Sequence, residues 1–240
     1  MTKLNINADL GEMAGQDEEI MPYLNSCNIA TGGHIGDAES IQKTIELAKK
    51  YNVKIGAHPS YPDLENFGRV IPDISDKKLK KSLVNQLRTF YEIAEQCNVK
   101  VHHIKPHGAL YHNLVYDEKE ARLFLDVLED LKIKTSIYTL KNGFLHQLGK
   151  EKHEIHFEAF IDRTYTTDMR LVSRKHPKAL IEKPEEVWKQ LYSMLYLEKI
   201  KVISNEVMDI SADTFCIHGD HPNATRILKY IQEQLEMIKS

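Results

Sequence analysis

The chain has 240 residues, 42% hydrophobic and 28% charged, the make-up of a globular protein with core material for one domain over 1–240. A formal net charge of −3 excludes a general nucleic-acid or membrane-surface binder, which would carry a basic excess. No apolar run approaches a membrane span and no apolar stretch follows a basic start, so the expected location is the cytoplasm.

Alternation in KLNINAD (3–9) predicts a strand that ends in Asp9-Leu10-Gly11-Glu12, followed over 13–26 by loop and a short helix. A second apolar run, Cys27 to Ala30, ends in Thr31-Gly32-Gly33-His34-Ile35-Gly36-Asp37. Asp37 reads as the N-cap of a helix with Ile41, Ile45 and Ala48 on one face. Val53 to Ala57 is a third strand, ending at His58-Pro59, and 60–73 is a Pro-, Gly- and Asp-rich surface loop carrying Asn66, Gly68 and Arg69. Asp76 opens the strongest helix, with Leu79, Leu83, Leu87, Phe90 and Ala94 near helical spacing.

The strand Val99 to Ile104 runs into Lys105-Pro106-His107-Gly108. A helix over 117–131 turns Ala121, Leu125 and Leu128 inward, and Lys134 to Leu140 is a strand followed by Asn142-Gly143 and a short helix. Glu154 to Ile161 alternates and terminates at Asp162-Arg163; an irregular polar loop over 164–183 holds Arg170 and Arg174. A helix from Pro184 to Leu197 precedes a short strand at Lys201 to Ser204. The last strand, Thr214 to Ile217, ends in His218-Gly219-Asp220, and Pro222 suits the first turn of a closing helix through Ile227, Ile231, Leu235 and Ile238.

About seven or eight strands alternating with helices describe a parallel sheet covered by helices. Their even spread favours an α/β fold closed into an irregular (β/α) barrel, with an open doubly wound sheet as the alternative. No G-x-G-x-x-G follows the first strand, which removes support for a dinucleotide fold. Cys27, Cys97 and Cys216 are widely spaced, in or beside apolar runs, and read as free thiols.

In a β/α barrel the carboxyl ends of all strands meet on one face. The polar residues after the apolar runs would then converge on one mouth: Asp9, Glu12, His34, Asp37, His58, Lys105, His107, Asp162, Arg163, His218 and Asp220. Asp37 and Asp220 each follow a glycine and open a helix, so capping explains them as well as function does. His102, His103, His112, His146, His153, His156, His176 and His221 lack this context and read as exposed or incidental.

Three chemistries suit the set. Asp9, His34, His58 and His107 are the ligands expected if a divalent metal is present, although no H-E-x-x-H or H-x-H occurs. Asp9, Glu12, His34, His58, His107 and His218 suit general acid–base hydrolysis of an amide, with Lys105 and Arg163 stabilising an oxyanion. Lys105, Arg163, Asp37, Asp162 and Asp220 are the candidates for substrate binding, the cations as a carboxylate or phosphate clamp. No G-x-x-x-x-G-K-[ST] occurs.

NADLGE (7–12), NIA-x-G-x-H-x-GD (28–37), IGAHPSYPD (55–63) with FGR (67–69), KPHGALY (105–111), DR (162–163) and HGD (218–220) together resemble the LamB/YcsF family, in that family's order from end to end. The resemblance implies a barrel like those of the glycoside hydrolase/deacetylase group. It also implies an ATP-dependent opening of the lactam 5-oxo-L-proline to L-glutamate. The family's protein works with 5-oxoprolinase subunits B and C; without a Walker motif in this chain, the ATP site would be shared with those partners. The chain departs from the family's usual pattern at Thr31 and Gly33, where Cys and Phe are usual, and over 164–174, where charged positions persist while Gly and Pro positions have changed. Two other classes remain open: a metal-dependent amidohydrolase or deacetylase acting alone, and a non-catalytic partner that presents a pocket.

Overall fold

The computed structural model describes residues 4–13 and 15–239. Lys3 of the expected first strand and Ala14 of the loop after it lie outside the described residues. In chain order the elements are β1 (Ile6–Leu10), α1 (Asp17–Ile20), β2 (Ser26–Ala30), α2 (Ala38–Lys50), β3 (Lys54–His58), α3 (Asp76–Gln96), β4 (Val101–Ile104), α4 (Gly108–Tyr116), α5 (Glu118–Asp130), β5 (Ser136–Thr139), α6 (Phe144–Gly149), β6 (Ile155–Phe160), α7 (Pro184–Leu197), β7 (Lys199–Lys201), β8 (Val207–Asp209), β9 (Thr214–Ile217) and α8 (Ala224–Lys239).

Seven parallel strands close into a barrel in the order β1-β2-β3-β4-β5-β6-β9. Closure comes at β9, where Ile6, Asn7 and Ala8 pair with Phe215, Cys216 and Ile217 on one side. On the other side Glu158, Ala159 and Phe160 pair with Thr214, Phe215 and Cys216. The strand expected at Lys201 to Ser204 is not a barrel member. It lies at β7 and pairs antiparallel with β8 in a separate two-stranded sheet. Its shortness and burial pattern explain this: only Ile200 of the three residues is buried, too little to replace a barrel strand.

Period two governs the barrel walls. Ile6, Ala8 and Leu10 on β1, Cys27 and Ile29 on β2, and Phe215 and Ile217 on β9 belong to the apolar core shared with the helices. The alternate residues Asn7, Asp9, Asn28, His58, His103 and Lys105 are buried without being apolar. The barrel interior is therefore polar, and every group in it needs a partner.

The helices follow their sequence signals. Asp37 caps α2 in a reciprocal box with Ser40, and Ile41, Ile45 and Ala48 are buried beneath it. Leu79, Leu83, Leu87, Phe90 and Ala94 of α3 are buried as the spacing predicts. In α8 Ile227 and Ile231 are buried whereas Ile238 is exposed, because the last turns run past the core. Pro222 stands before α8 instead of in its first turn. Helix α4 has no counterpart among the sequence expectations: it is apolar nearly all round and its N-cap makes no side-chain bond, so neither periodicity nor capping marks it. Cys27 and Cys216 are buried and Cys97 half-buried, all free thiols. Among the described residues no helix is long and apolar enough to cross a membrane.

Candidate active site at the barrel mouth

The strand ends deliver their polar residues to one cavity of about 430 Å³, whose lining includes Asp9, Glu12, His58, Lys105, His107 and His218. Asp9 comes from β1, His58 from β3, Lys105 and His107 from the exit of β4, and His218 from the exit of β9. Arg69, Arg163 and Arg174 give the cavity a cationic upper wall.

Lys105, 2% exposed, is the buried ammonium at the base of this cavity. Its Nζ donates to Asp9 Oδ1 at 2.8 Å, lies 3.0 Å from Glu158 Oε1 and meets Cys216 Sγ at 3.0 Å. Burial would push the ammonium down and the carboxyl up; each outweighs that for the other. Asp9 holds Lys105 well above its ordinary range, while His58 and Lys105 hold Asp9 well below. Asp9 is thus a fixed anion, and its Oδ1 takes a second bond from Asn28 Nδ2 at 2.8 Å.

Three imidazoles surround the second carboxylate. Glu12 Oε1 lies 3.0 Å from His34 Nε2, 3.1 Å from His107 Nδ1 and 3.7 Å from His58 Nε2. His34 and His107 stack at 3.7 Å with parallel rings. Burial pushes His34 down to about 4 and also lowers His107, so both rings are neutral near pH 7. One oxygen or nitrogen from each of Asp9, His58 and His107, and likewise of Glu12, His34 and His107, lies within 4.8 Å of the others. Either trio has the donor types that hold a first-row divalent ion.

The segment after β3 is more than a surface loop. Phe67 packs edge-on against both His34 and His107, at 4.9 and 5.4 Å, and its carbonyl accepts from His107 Nε2 at 2.9 Å. Gly68 sits at φ +62, and a Cβ there would come within 3.0 Å of His34 Cβ, so only glycine lets the loop seat on the imidazoles. Thr31 and Gly33, two of the positions at which the sequence departs from the pattern it resembles, flank one side chain, Gln86 of α3. Thr31 Oγ1 donates to Gln86 Oε1 at 2.9 Å, and a Cβ on Gly33 would stand 2.6 Å from that oxygen. Gln86 bonds both the N–H and the carbonyl of Ser60, whose Oγ lies 2.9 Å from His34 Nδ1. The altered pair therefore supports His34 from behind.

At the opposite wall His218 Nδ1 lies 2.9 Å from Asp162 Oδ2, with the imidazole half-buried against Phe160. Burial would raise Asp162, but the adjoining His218 and its hydrogen bonds bring the carboxyl down to about 2. Asp162 is fully buried, bonded to His218 and not among the residues that line the cavity. Arg163 spends Nε on the Ala179 carbonyl and Nη2 on the Val172 carbonyl, which fixes its guanidinium plane. Asp220 bridges Arg69 and Arg174 at the rim, at 2.5 and 3.1 Å. Asp37 does not reach the cavity at all: it is exposed and bound to Ser40 as the α2 cap.

Sequence reasoning passed over several participants. His103, expected to be incidental, is fully buried inside the barrel, its Nε2 2.6 Å from Asn28 Oδ1 and its ring stacked on Tyr138 at 3.9 Å. A Cβ on Gly56 would fall 2.2 Å from that imidazole, which is why β3 has glycine there. His112 on α4 lines the mouth, and burial pushes it down to about 4; His221 is buried as well. The missing signal is period two, since His103 precedes Lys105 by two and shares its inward face.

Below the mouth the hydrogen bonds run one way. Lys54 Nζ donates to His102 Nε2 at 3.2 Å, and His102 Nδ1 to His103 Nδ1 at 3.2 Å. His103 Nε2 then donates to Asn28 Oδ1, and Asn28 Nδ2 to Asp9 Oδ1. An ammonium has only donors and a carboxylate only acceptors, so the two ends set every tautomer between them.

The fold and this mouth define a β/α-barrel protein with a buried ammonium, an imidazole–carboxylate cluster and a guanidinium wall at the carboxyl ends of its strands. The sequence profile of the LamB/YcsF family matches residues 4–239, and the chain belongs to that family. A relative from Pyrococcus furiosus, named as the A subunit of 5-oxoprolinase, is 37% identical over 98% of this chain and 94% of its own. The crystal structure of a lactam utilization protein from Thermus thermophilus superposes with a TM-score of 0.89 at 30% identity, covering 99% of this chain and 97% of that one. A GH113 β-1,4-mannanase complex shares the fold alone, at a TM-score of 0.54 and 13% identity, covering 95% of this chain and 98% of that one.

Proposed function

We propose that the chain is the A subunit of a 5-oxoprolinase, opening the lactam of 5-oxo-L-proline to L-glutamate with ATP hydrolysis, together with B and C subunits. The observation that carries this reading is the juxtaposition, around one cavity, of a cationic wall for a carboxylate and a carboxylate-backed imidazole for proton transfer. It is supported by the name of the Pyrococcus relative and by the likeness to the lactam utilization protein.

In this reading the substrate carboxylate lies against Arg163 and Arg174, and the lactam carbonyl turns toward Lys105. His218, with Nδ1–H committed to Asp162, accepts a proton through Nε2 from the attacking water. As the carbon–nitrogen bond breaks, the same imidazole returns the proton to the departing amine. Asp9 serves as a fixed anion holding Lys105, so among the acid–base candidates the duty of base falls to His218. Opening an unstrained lactam gains little free energy, which gives ATP coupling its purpose. With no G-x-x-x-x-G-K-[ST] in the sequence, the nucleotide site is read as shared with the partners, and the complex as working in the cytoplasm where ATP is supplied.

Glutamate release from 5-oxoproline with ATP tests the proposal, comparing this chain alone with the chain plus its B and C partners. Turnover only in the full mixture is expected. A folded chain that releases no glutamate in either mixture overturns it, and turnover by the chain alone without ATP favours an independent amidohydrolase.

A further inference from the structure

The cluster under the mouth leaves an unsolved hydrogen-bond problem. His58 Nδ1 lies 2.7 Å from the Lys105 carbonyl, and His107 Nε2 lies 2.9 Å from the Phe67 carbonyl. A carbonyl only accepts, so each outer nitrogen carries an N–H, and the tautomer that this requires turns the lone pair of each inner nitrogen into the cluster. Those inner nitrogens, His58 Nε2 and His107 Nδ1, are 2.9 Å apart. Their other near neighbours in the cluster are acceptors too: Glu12 Oε1 is 3.1 Å from His107 Nδ1, and Asp9 Oδ2 is 3.5 Å from His58 Nε2. Four lone-pair donors converge, buried, with no hydrogen among them.

One extra proton would join one pair and leave the remaining contacts between acceptors. A cation serves all four. The pattern is that of metal-bound histidine, whose second ring nitrogen donates to a carbonyl or carboxylate. Zinc–nitrogen and zinc–oxygen bonds of about 2.0–2.1 Å set neighbouring corners of a tetrahedron about 3.3 Å apart. Four of the six separations, at 2.9, 3.1, 3.5 and 3.7 Å, bracket that spacing, and the donor atoms of Asp9, His58 and His107 all lie within 4.8 Å of one another. All four residues line the cavity, so an ion can enter from the mouth. His34, 3.0 Å from Glu12, steadies the fourth ligand.

We infer that Asp9, Glu12, His58 and His107 form a binding site for one divalent first-row transition ion, with zinc the best match to the spacing. The inference goes beyond the lactam reading and does not rest on it. It alters the ligand set expected from sequence by one exchange, bringing in Glu12 and moving His34 from ligand to support.

The full-length chain is stripped with a chelator and titrated with Zn²⁺ by calorimetry, and with Co²⁺ by visible absorption. One ion per chain, a raised Tm and the intense cobalt bands of four-coordinate geometry are expected. His58→Gln and Asp9→Asn should each weaken zinc binding by more than about 100-fold, and His34→Gln by about 10- to 100-fold. Circular dichroism selects the folded variants; Asp9→Asn keeps the shape of the site where His58→Gln fails to fold. Absence of stoichiometric Zn²⁺ binding by the unmodified chain overturns the inference, as does undiminished binding in a folded ligand variant. Ion binding is read without substrate, so a chain that binds zinc but releases no glutamate overturns only the lactam reading.

Discussion

Histidines gather at both ends of the barrel, and the two groups are built on opposite principles. At the lower end His102 and His103 stand between Lys54 and Asn28, and each ring nitrogen has one partner of the right kind. At the upper end His58 and His107 spend their N–H groups outward and turn lone pairs toward each other and toward two carboxylates. His103 is as buried as His58 and His107, so burial alone does not separate structure from function. What separates them is whether the polar groups are satisfied by the chain itself. The satisfied end reads as scaffold and the unsatisfied end as a place for something from outside.

The sharpest way to break this contrast lies across the mouth, at His218. His218→Asn keeps an N–H for Asp162 and removes the ring nitrogen on the cavity side. The expected loss is about 10²- to 10⁴-fold in kcat with Tm nearly unchanged, measured in the reconstituted 5-oxoproline assay. A near-normal rate would remove His218 from proton transfer.

At the lower end the effect should fall on stability. His103→Leu leaves Asn28 Oδ1 buried without its donor, at a cost of about 1–3 kcal/mol by urea unfolding. Burial holds the His103 imidazole well below its ordinary range, so the folded chain keeps it neutral. The unfolded chain takes up that proton below about pH 6.5. The stability His103 contributes is therefore complete above that pH and drains as pH falls below it, and His103→Leu should flatten this acid limb. A rate collapse in His103→Leu as large as that of His218→Asn, with stability intact, would erase the distinction between the ends.

The smallest effect is expected at Asp37, outside both groups. Asp37→Ala should lower stability slightly in urea unfolding through loss of the α2 cap and leave kcat and KM unchanged. A rise in KM would return Asp37 to the substrate.

Much of this was legible in the sequence because apolar runs ending in Asp, Lys or His name the carboxyl ends of strands. That rule alone places Asp9, His58, Lys105, His107 and His218 on one mouth. It fails one layer down. Asn28, His103 and Glu158 lie within their strands, where only the inward phase distinguishes them, and phase is recovered by stepping back two residues from each strand-end group. It also overreaches at Asp37, since a cap and a site residue share the same position after a glycine. Helix α4 and the hairpin of β7 and β8 leave weaker marks: one is apolar nearly all round, the other too short to alternate.

The one-way chain beneath Asp9 has a consequence for proton supply. Two imidazoles and an ammonium could together pass protons along, as ring nitrogens exchange readily, but the link next to Asp9 is the carboxamide of Asn28. An amide conveys polarisation from its oxygen to its nitrogen yet does not hand on a proton without becoming an imidic acid. The barrel floor is thus electrically coupled to the outer surface at Lys54 and protonically insulated from it. In the proposed reaction, protons consumed or released therefore pass through the mouth, on the same side as the substrate.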